Sequence, residues 1–218
     1  MVSKPINKKE PITVDILKVY IDKFASEDST LGDLRNSCLF VLSFAGFFRI
    51  SECLNLKRSN IAIYDSYCEI IIEKSKTDVL RDGNTVVIAR TGSSSCPVSL
   101  LERYLNLANI QPNSEEFIFR QIYFDKNSRL YGLKKINKPI SYSCLRDVLK
   151  KNFTSLGFDS SKFSLHSFRS GGASASANNN VPERLLKRHG RLKSVSEKDG
   201  YIKDSLQDRL LVSKQLNL

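Results

Sequence analysis

Residues 164–201 of this 218-residue chain read SLHSFRSGGASASANNNVPERLLKRHGRLKSVSEKDGY, and this stretch decides the fold. It contains three signals for the start of a helix: Ser164 as an N-cap, Pro182 in a first turn, and a Ser-x-x-Glu capping box at Ser194. We therefore expect three successive helices, the second of which ends at Gly190. The side chains on the first and last of these helices that could take part in catalysis or binding are His166, Arg169 and Tyr201.

The first quarter of the chain also has helical periodicity. Thr13 is a candidate N-cap for a helix with one buried face. The apolar positions of that helix are Ile16, Leu17, Tyr20, Ile21 and Phe24. Residues 34–48 are apolar nearly all round, which is typical of a helix packed on several sides, and Gly46 is a candidate end for it. A short helix over residues 51–56 would follow, so Arg49 lies at the junction between the two.

In the middle of the chain the apolar residues no longer follow the helical spacing. Two β-rich runs between residues 61 and 89, with an Asp-Gly turn signal between them, predict a small antiparallel sheet. We expect a short strand over residues 117–119, a loop over residues 125–138, and then a helix capped by Ser141 or Ser143. The predicted fold class is α+β, mostly α-helical, with a small antiparallel sheet.

The composition favours a polyanionic partner. Lys and Arg total 34 against 23 Asp and Glu, for a net charge of +11, and nucleic acid is the leading candidate. No stretch approaches the roughly 20 apolar residues of a membrane span. Five widely spaced cysteines indicate reduced thiols in an intracellular protein. With two histidines and no Cys-x-x-Cys pair, we expect no metal site and no cofactor.

Each candidate site residue has an ordinary structural interpretation when taken alone. Arg49 could only form an ion pair with Glu52, His166 could be a buried and hydrogen-bonded histidine, and Lys76 could be a solvated cation. Tyr201, taken alone, could be a structural residue, as most tyrosines are. The order and spacing of these residues along the chain carry the functional information.

In that order and spacing, the sequence resembles the tyrosine recombinase (phage integrase) family from about residue 11 to residue 218. The family places an arginine early, a lysine in a β-hairpin, a His-x-x-Arg pair, a His or Trp, and a tyrosine nine residues later. The matching residues are Arg49, Lys76, His166, Arg169 and Tyr201. Lys74 is the alternative to Lys76, and Glu52 completes the Arg-x-x-Glu pattern that begins at Arg49.

One position departs from the family pattern. Leu192 stands where the family has His or Trp, and His189, three residues earlier, is interpreted as a helix-end residue rather than a substitute. The sequence of residues 190–201 looks most like that of recombinases of eukaryotic mobile elements, which would place the protein in the nucleus.

The resemblance implies a metal-independent reaction at a DNA phosphodiester. Arg49 and Arg169 would fork onto the phosphate oxygens, and His166 would act as a base or as a donor to phosphate. Lys76 would protonate the leaving 5′ oxygen, and Tyr201 would form a 3′-phosphotyrosyl intermediate. Because that ester conserves the bond energy, the strand could be rejoined without ATP.

The resemblance also implies how the chain meets DNA. Double-stranded DNA is the expected partner, with self-association into a tetramer and without a membrane or a small-molecule substrate. The expected phosphate contacts are Lys150, Lys151, Lys187, Arg188, Arg191 and Lys193. We expect a polar leader over residues 1–12, the catalytic domain over 13–205, and an apolar tail over 206–218 that is exchanged between protomers. Family members usually add an N-terminal clamp domain, and this chain begins about where the catalytic domain would.

Two alternatives remain at this point. A type IB topoisomerase-like enzyme would use the same residues to nick and close DNA as a monomer. A catalytically degenerate DNA-binding module derived from a mobile element would bind DNA without cutting it, and Leu192 motivates that alternative.

Overall fold

A computed structural model describes residues 9–73, 84–126, 129–192, 194, 199–204 and 210. Its helices are α1 (Val14–Phe24), α2 (Leu31–Ala45), α3 (Ile50–Leu54), α4 (Pro97–Leu107), α5 (Tyr142–Ser155), α6 (Ser167–Asn178) and α7 (Glu183–Gly190). Its strands are β1 (Ile61–Ile63), β2 (Tyr67–Ile72), β3 (Asn84–Ala89), β4 (Ile122–Asp125) and β5 (Leu130–Leu133), and two short 3-10 helices are Arg58–Asn60 and Ser160–Lys162. The predicted α+β class, mostly helical with small antiparallel sheets, is confirmed.

Helix α2 is the centre of the fold. Thr30 caps it through its side chain, and Gly46, the predicted end, follows its last residue. Eleven of its fifteen residues are buried, because α1, α4 and α6 all pack against it. Phe40 of α2 stacks on Phe168 of α6 with ring centroids 4.4 Å apart, which fixes the start of α6 against the core.

The main sheet is antiparallel, with strand order β1-β2-β3. Ile61 pairs with Ile70, and Tyr67 pairs with Ala89, so β2 is the central strand. Cys68, Ile70 and Ile72 point from β2 into the core. The two predicted β-rich runs, over residues 68–72 and 85–88, correspond to β2 and β3, and β1 is an additional strand that the sequence analysis did not predict. The turn between β2 and β3 lies outside the described residues, and so do Lys74 and Lys76.

Two predictions for the segment between α4 and α5 were wrong. The predicted loop over residues 125–138 contains β5, which pairs with β4 in a second antiparallel hairpin. The predicted strand over 117–119 makes only one isolated bridge, between Phe117 and Lys57. Both strands of the hairpin are only four residues long, and β5 contains Gly132. An alternation of apolar and polar residues over so few positions does not identify a strand in the sequence.

Helix α6 begins later than the sequence suggested. Ser164 is not its cap; the backbone N–H of Ser164 donates to the side chain of Ser167, the first helical residue, at 3.0 Å. His166 is therefore the N-cap residue and stands at the helix end. The capping box expected at Ser194 depends on Glu197, which lies outside the described residues.

The close approach of α6 to α2 depends on glycine. A Cβ added at Gly172 would lie 2.0 Å from the carbonyl oxygen of Phe44, at the end of α2. We expect Gly172→Ala to lower the free energy of unfolding by about 3 kcal/mol, because two backbones must separate to admit the methyl group. Gly32→Ala is the control: its Cβ meets nothing closer than 3.7 Å, so this helical position should be unchanged or slightly stabilised. Equal unfolding midpoints of the two variants in urea would contradict the packing described here.

Candidate active site

Several helix ends meet on one side of the domain. α3 begins directly after Arg49, α6 begins directly after His166, and Tyr201 lies in a helical turn over residues 199–201. The guanidinium carbon of Arg169 is 4.7 Å from the centroid of the Tyr201 ring. The centroid of the His166 ring is 5.1 Å from that of the same tyrosine. Three of the predicted site residues are thus brought together.

Arg169 is held by the backbone. It is 1% exposed, and its two Nη atoms donate to the carbonyl oxygens of Phe47 and of Gly190, the latter at 2.9 Å. Its Nε–H has no hydrogen-bond partner among the described residues, and each Nη atom carries a second N–H. Burial lowers the pKa of Arg169, while the neighbouring Tyr201 acts in the opposite direction. These bonds fix the guanidinium in orientation.

Glu52 organises the first arginine. Its buried carboxylate accepts from the backbone N–H of Arg49 at 2.8 Å and from Nη1 of Arg49 at 3.1 Å. It also accepts from Nη2 of Arg191 at 2.8 Å. The predicted Arg49–Glu52 ion pair therefore exists, but as part of a buried network in which one carboxylate holds two guanidiniums.

The position of Arg191 corrects the expectation that it contacts DNA from the surface. Its side chain is buried, and it donates to the carbonyl oxygens of Gly46, Phe47 and His189 as well as to Glu52. It reaches them because its backbone turns left-handed at φ 55°, just after α7. Arg191 is a structural link between α2, α3 and α7. A run of basic residues in sequence gave no sign of this burial.

Leu192 belongs to the apolar cluster against which Tyr201 packs. It is buried in a small cluster with Phe47, Ala173 and Leu186, and Tyr201 packs against that cluster. A leucine there supplies apolar contact but no hydrogen-bond donor, unlike the His or Trp of the family pattern.

His189 is tied to the end of α2. Its Nε2 lies 2.7 Å from the carbonyl oxygen of Ala45, which can only accept, so Nε2 carries the proton. Its ring meets Phe47 edge-on at 4.8 Å. This arrangement fits the interpretation of His189 as a helix-end residue.

Ser174 positions the tyrosine, and sequence reasoning missed it. Its hydroxyl donates to the carbonyl oxygen of Tyr201 at 3.2 Å and accepts from the backbone N–H of Lys203 at 2.9 Å. Nothing in the sequence separates Ser174 from the other serines of α6, because its role depends on a segment 27 residues away. A cavity of about 520 Å³ opens beside this segment, lined by His166, Ser170 and Tyr201 among others.

The remaining predicted DNA contacts differ in their exposure and in their partners. Lys150 and Lys151 are exposed on α5. Lys187 pairs with Glu183 at 2.8 Å, and Arg188 is exposed on α7. Lys193 lies outside the described residues.

Both histidines of the chain favour the neutral form. The pKa of His166 is lowered by partial burial, then by the charges of Arg169 and Arg49. The pKa of His189 is lowered mainly by burial and also by Arg191, against the bond to Ala45. A neutral imidazole at His166 could accept the proton of the Tyr201 phenol.

These two shifts predict a pH dependence of stability. With both pKa values below the ordinary 6.5, the unfolded chain takes up protons first as the pH falls. Their contribution is complete above about pH 6.5 and is lost on acidification towards the folded-state pKa. We expect urea unfolding to show lower stability at pH 5.5 than at pH 7.5, and a flatter profile for His166→Gln/His189→Gln. A wild type equally stable at both values would refute this.

Comparison with known proteins agrees with this geometry. The sequence model of the phage integrase family matches residues 19–207. The chain belongs to the phage integrase family. It is 29% identical over 195 residues to an integrase/recombinase xerD homolog of Selenomonas ruminantium, covering 89% of this chain and 54% of that protein. The chain thus spans about half the length of this curated relative.

Solved structures share the fold. XerA recombinase has a TM-score of 0.68 and 17% identity, covering all of this chain and 67% of its own. XerH site-specific recombinase bound to difH substrate in a pre-cleavage complex has a TM-score of 0.66 and 17% identity, covering 95% and 54%. At these identities the likeness concerns the fold. Among the described residues, no helix combines the length and apolar character needed to cross a membrane.

Proposed function

We propose that this chain is the catalytic part of a site-specific DNA recombinase or integrase that cuts and rejoins DNA through Tyr201. The observation that carries the proposal is the position of the Tyr201 ring against the guanidinium of Arg169 and beside His166, in a member of the phage integrase family. A phenol between a fixed cation and a neutral imidazole is suited to attack on a phosphodiester.

In the proposed reaction, the phenolic oxygen of Tyr201 attacks the phosphorus, and His166 accepts the phenol proton. Arg169 and Arg49 meet the negative charge that develops on the non-bridging oxygens. The bond from phosphorus to the 5′ oxygen breaks, and Lys76 supplies the proton that this oxygen takes. Attack by a free 5′ hydroxyl on the 3′-phosphotyrosyl ester reverses the same steps and rejoins the strand.

Duplex DNA is the proposed partner, and strand exchange between two sites needs self-association, for which we propose a tetramer on DNA. The exchanged tail remains a prediction, since residues 206–218 lie outside the described residues apart from Leu210. We also retain as proposals an intracellular location, nuclear in a eukaryote, and an origin in a mobile element.

Leu192 favours one second candidate, a DNA-binding module that has lost cleavage. It is part of the cluster against which Tyr201 packs, and its side chain has no donor for phosphate. Such a module would keep the basic surface and the fold but would form no covalent complex with DNA.

Trapping with nicked suicide DNA substrates separates these candidates. The proposed function predicts a denaturant-resistant protein–DNA band that disappears in Tyr201→Phe. Binding at low salt without a band, in the wild type and in Leu192→Trp, would favour the degenerate module. Relaxation of supercoiled DNA without exchanged products would instead indicate a topoisomerase-like activity.

A further inference from the structure

The β4–β5 hairpin carries aromatic rings that the core does not use. Ile122 and Leu133 at its base pack against the core, and the next pair on the same face is Phe124 and Tyr131. Their ring centroids are 5.0 Å apart, and both residues are 48% exposed. An exposed aromatic pair at the outer end of a two-stranded ribbon is a surface that can contact a partner.

The opposite face of the hairpin is also aromatic. Tyr123, 45% exposed, lies over Gly132, where an added Cβ would come within 3.2 Å of its ring. The ring therefore occupies the space beside Gly132 on this face of the hairpin. Aromatic rings are therefore exposed on both faces of the hairpin, and Phe124 and Tyr131 are not a single exception on an otherwise polar surface.

The hairpin and its flanks are strongly basic. Residues 121–139 contain five cationic side chains and one carboxylate, Asp125, for a net charge of +4. The five cations, all exposed, are Lys126, Arg129, Lys134, Lys135 and Lys138. None of the ion pairs between described residues includes one of them. Rings surrounded by cations that form no ion pair with another described residue complement a polyanion better than they complement another basic protein.

The segment that leads into the hairpin is bonded to the residues just after α3, the helix that starts at the candidate site. The backbone N–H of Ile118 donates to the carbonyl oxygen of Leu56, and Phe117 pairs with Lys57. Asn137 closes the base by accepting from the backbone N–H of Phe117 at 2.9 Å. Leu56 and Lys57 follow α3 after the single residue Asn55, so the base of the hairpin is anchored close to the helix that Arg49 begins.

We propose that the β4–β5 hairpin is a DNA-contacting ribbon, separate from the residues that act on the scissile phosphate. This inference rests on the proposed function for its ligand class. The major groove admits a two-stranded ribbon, so the cations would reach phosphates on its edges while Phe124 and Tyr131 lie against sugars and base edges. A second copy of the same face is disfavoured, because two surfaces of charge +4 repel each other.

The test measures binding to a duplex of about 30 base pairs by fluorescence anisotropy over a range of salt concentrations. Lys134→Gln/Lys135→Gln removes two hairpin cations, and Lys18→Gln/Lys23→Gln removes two exposed cations from α1 as the matched control. Each phosphate contact contributes close to one unit to the slope of log affinity against log salt, so the hairpin variant should lose about two units. Tyr131→Thr should weaken binding about tenfold with an unchanged slope, and the control should stay within about twofold of wild type.

The outcomes separate this proposal from the proposed function. A hairpin variant with the affinity and salt slope of wild type overturns the hairpin proposal, even if suicide substrates still trap Tyr201. Hairpin-dependent binding supports it, even if trapping fails and the catalytic proposal falls. A variant that binds DNA normally but no longer self-associates on it also overturns the DNA contact and makes the hairpin a protein interface. Melting temperatures within a few degrees of wild type exclude misfolding.

Discussion

Replacing Arg169 with lysine should reduce the rate of single-turnover DNA cleavage about 10³-fold although the charge is kept. The guanidinium donates to Phe47 and Gly190 at once and still has an Nε–H without a partner among the described residues. A lysine ammonium cannot span both carbonyls and present a fork to phosphate. Cleavage would be timed on a suicide substrate with saturating enzyme.

The control for this substitution is Arg146→Lys on α5. Arg146 is exposed and pairs with Asp147 at 3.0 Å on the surface, so its replacement should leave the cleavage rate within about twofold. A cleavage rate for Arg169→Lys within tenfold of wild type would show that a single positive charge suffices, and the role given to the fork would be wrong.

Removing the carboxylate of Glu52 should have the second large effect, on stability as well as on cleavage. Glu52→Ala leaves Arg191 buried with no carboxylate partner among the described residues, and it removes the two bonds that Glu52 makes with Arg49. Breaking a buried pair in this way costs about 4 kcal/mol, whereas Asp147→Ala at the exposed Arg146 pair should cost less than about 1 kcal/mol. Urea unfolding of the two variants measures the difference directly.

A double replacement separates the structural role of Glu52 from its role in the site. In Glu52→Leu/Arg191→Met both buried charges are replaced by apolar groups, so much of the lost stability should return. DNA cleavage should not return, because Arg49 still lacks the carboxylate that orients it. Recovery of both stability and cleavage would mean that Glu52 acts only through folding.

The parts of this structure that local signals govern were predicted correctly. Thr13 caps α1, Ser141 caps α5, and Gly46 follows α2, because caps and glycine ends depend on a few adjacent residues. The apolar pattern around α2 predicted its central position, since a helix apolar on all sides can only be satisfied by burial. The order of His166, Arg169 and Tyr201 along the chain indicated the site before any geometry was known.

The parts that depend on distant contacts were missed. Arg191 looks like one more cation in a basic run, and only the approach of Glu52, 139 residues earlier in the chain, makes it a buried link. That contact follows from the packing of α3 against α7, which no local pattern encodes. Ser164 is a local miss: its backbone N–H donates to the side chain of Ser167, three residues later, so the helix starts after His166 rather than after Ser164.

Mass spectrometry of a trapped protein–DNA complex tests the central claim most directly. After digestion with nuclease and trypsin, the account predicts a nucleotide bound through its 3′ phosphate to Tyr201, in the peptide of residues 199–203 that cleavage after Lys198 and Lys203 releases. An adduct on any other residue, or cleaved DNA with a free 3′ phosphate and no protein attached, would contradict it.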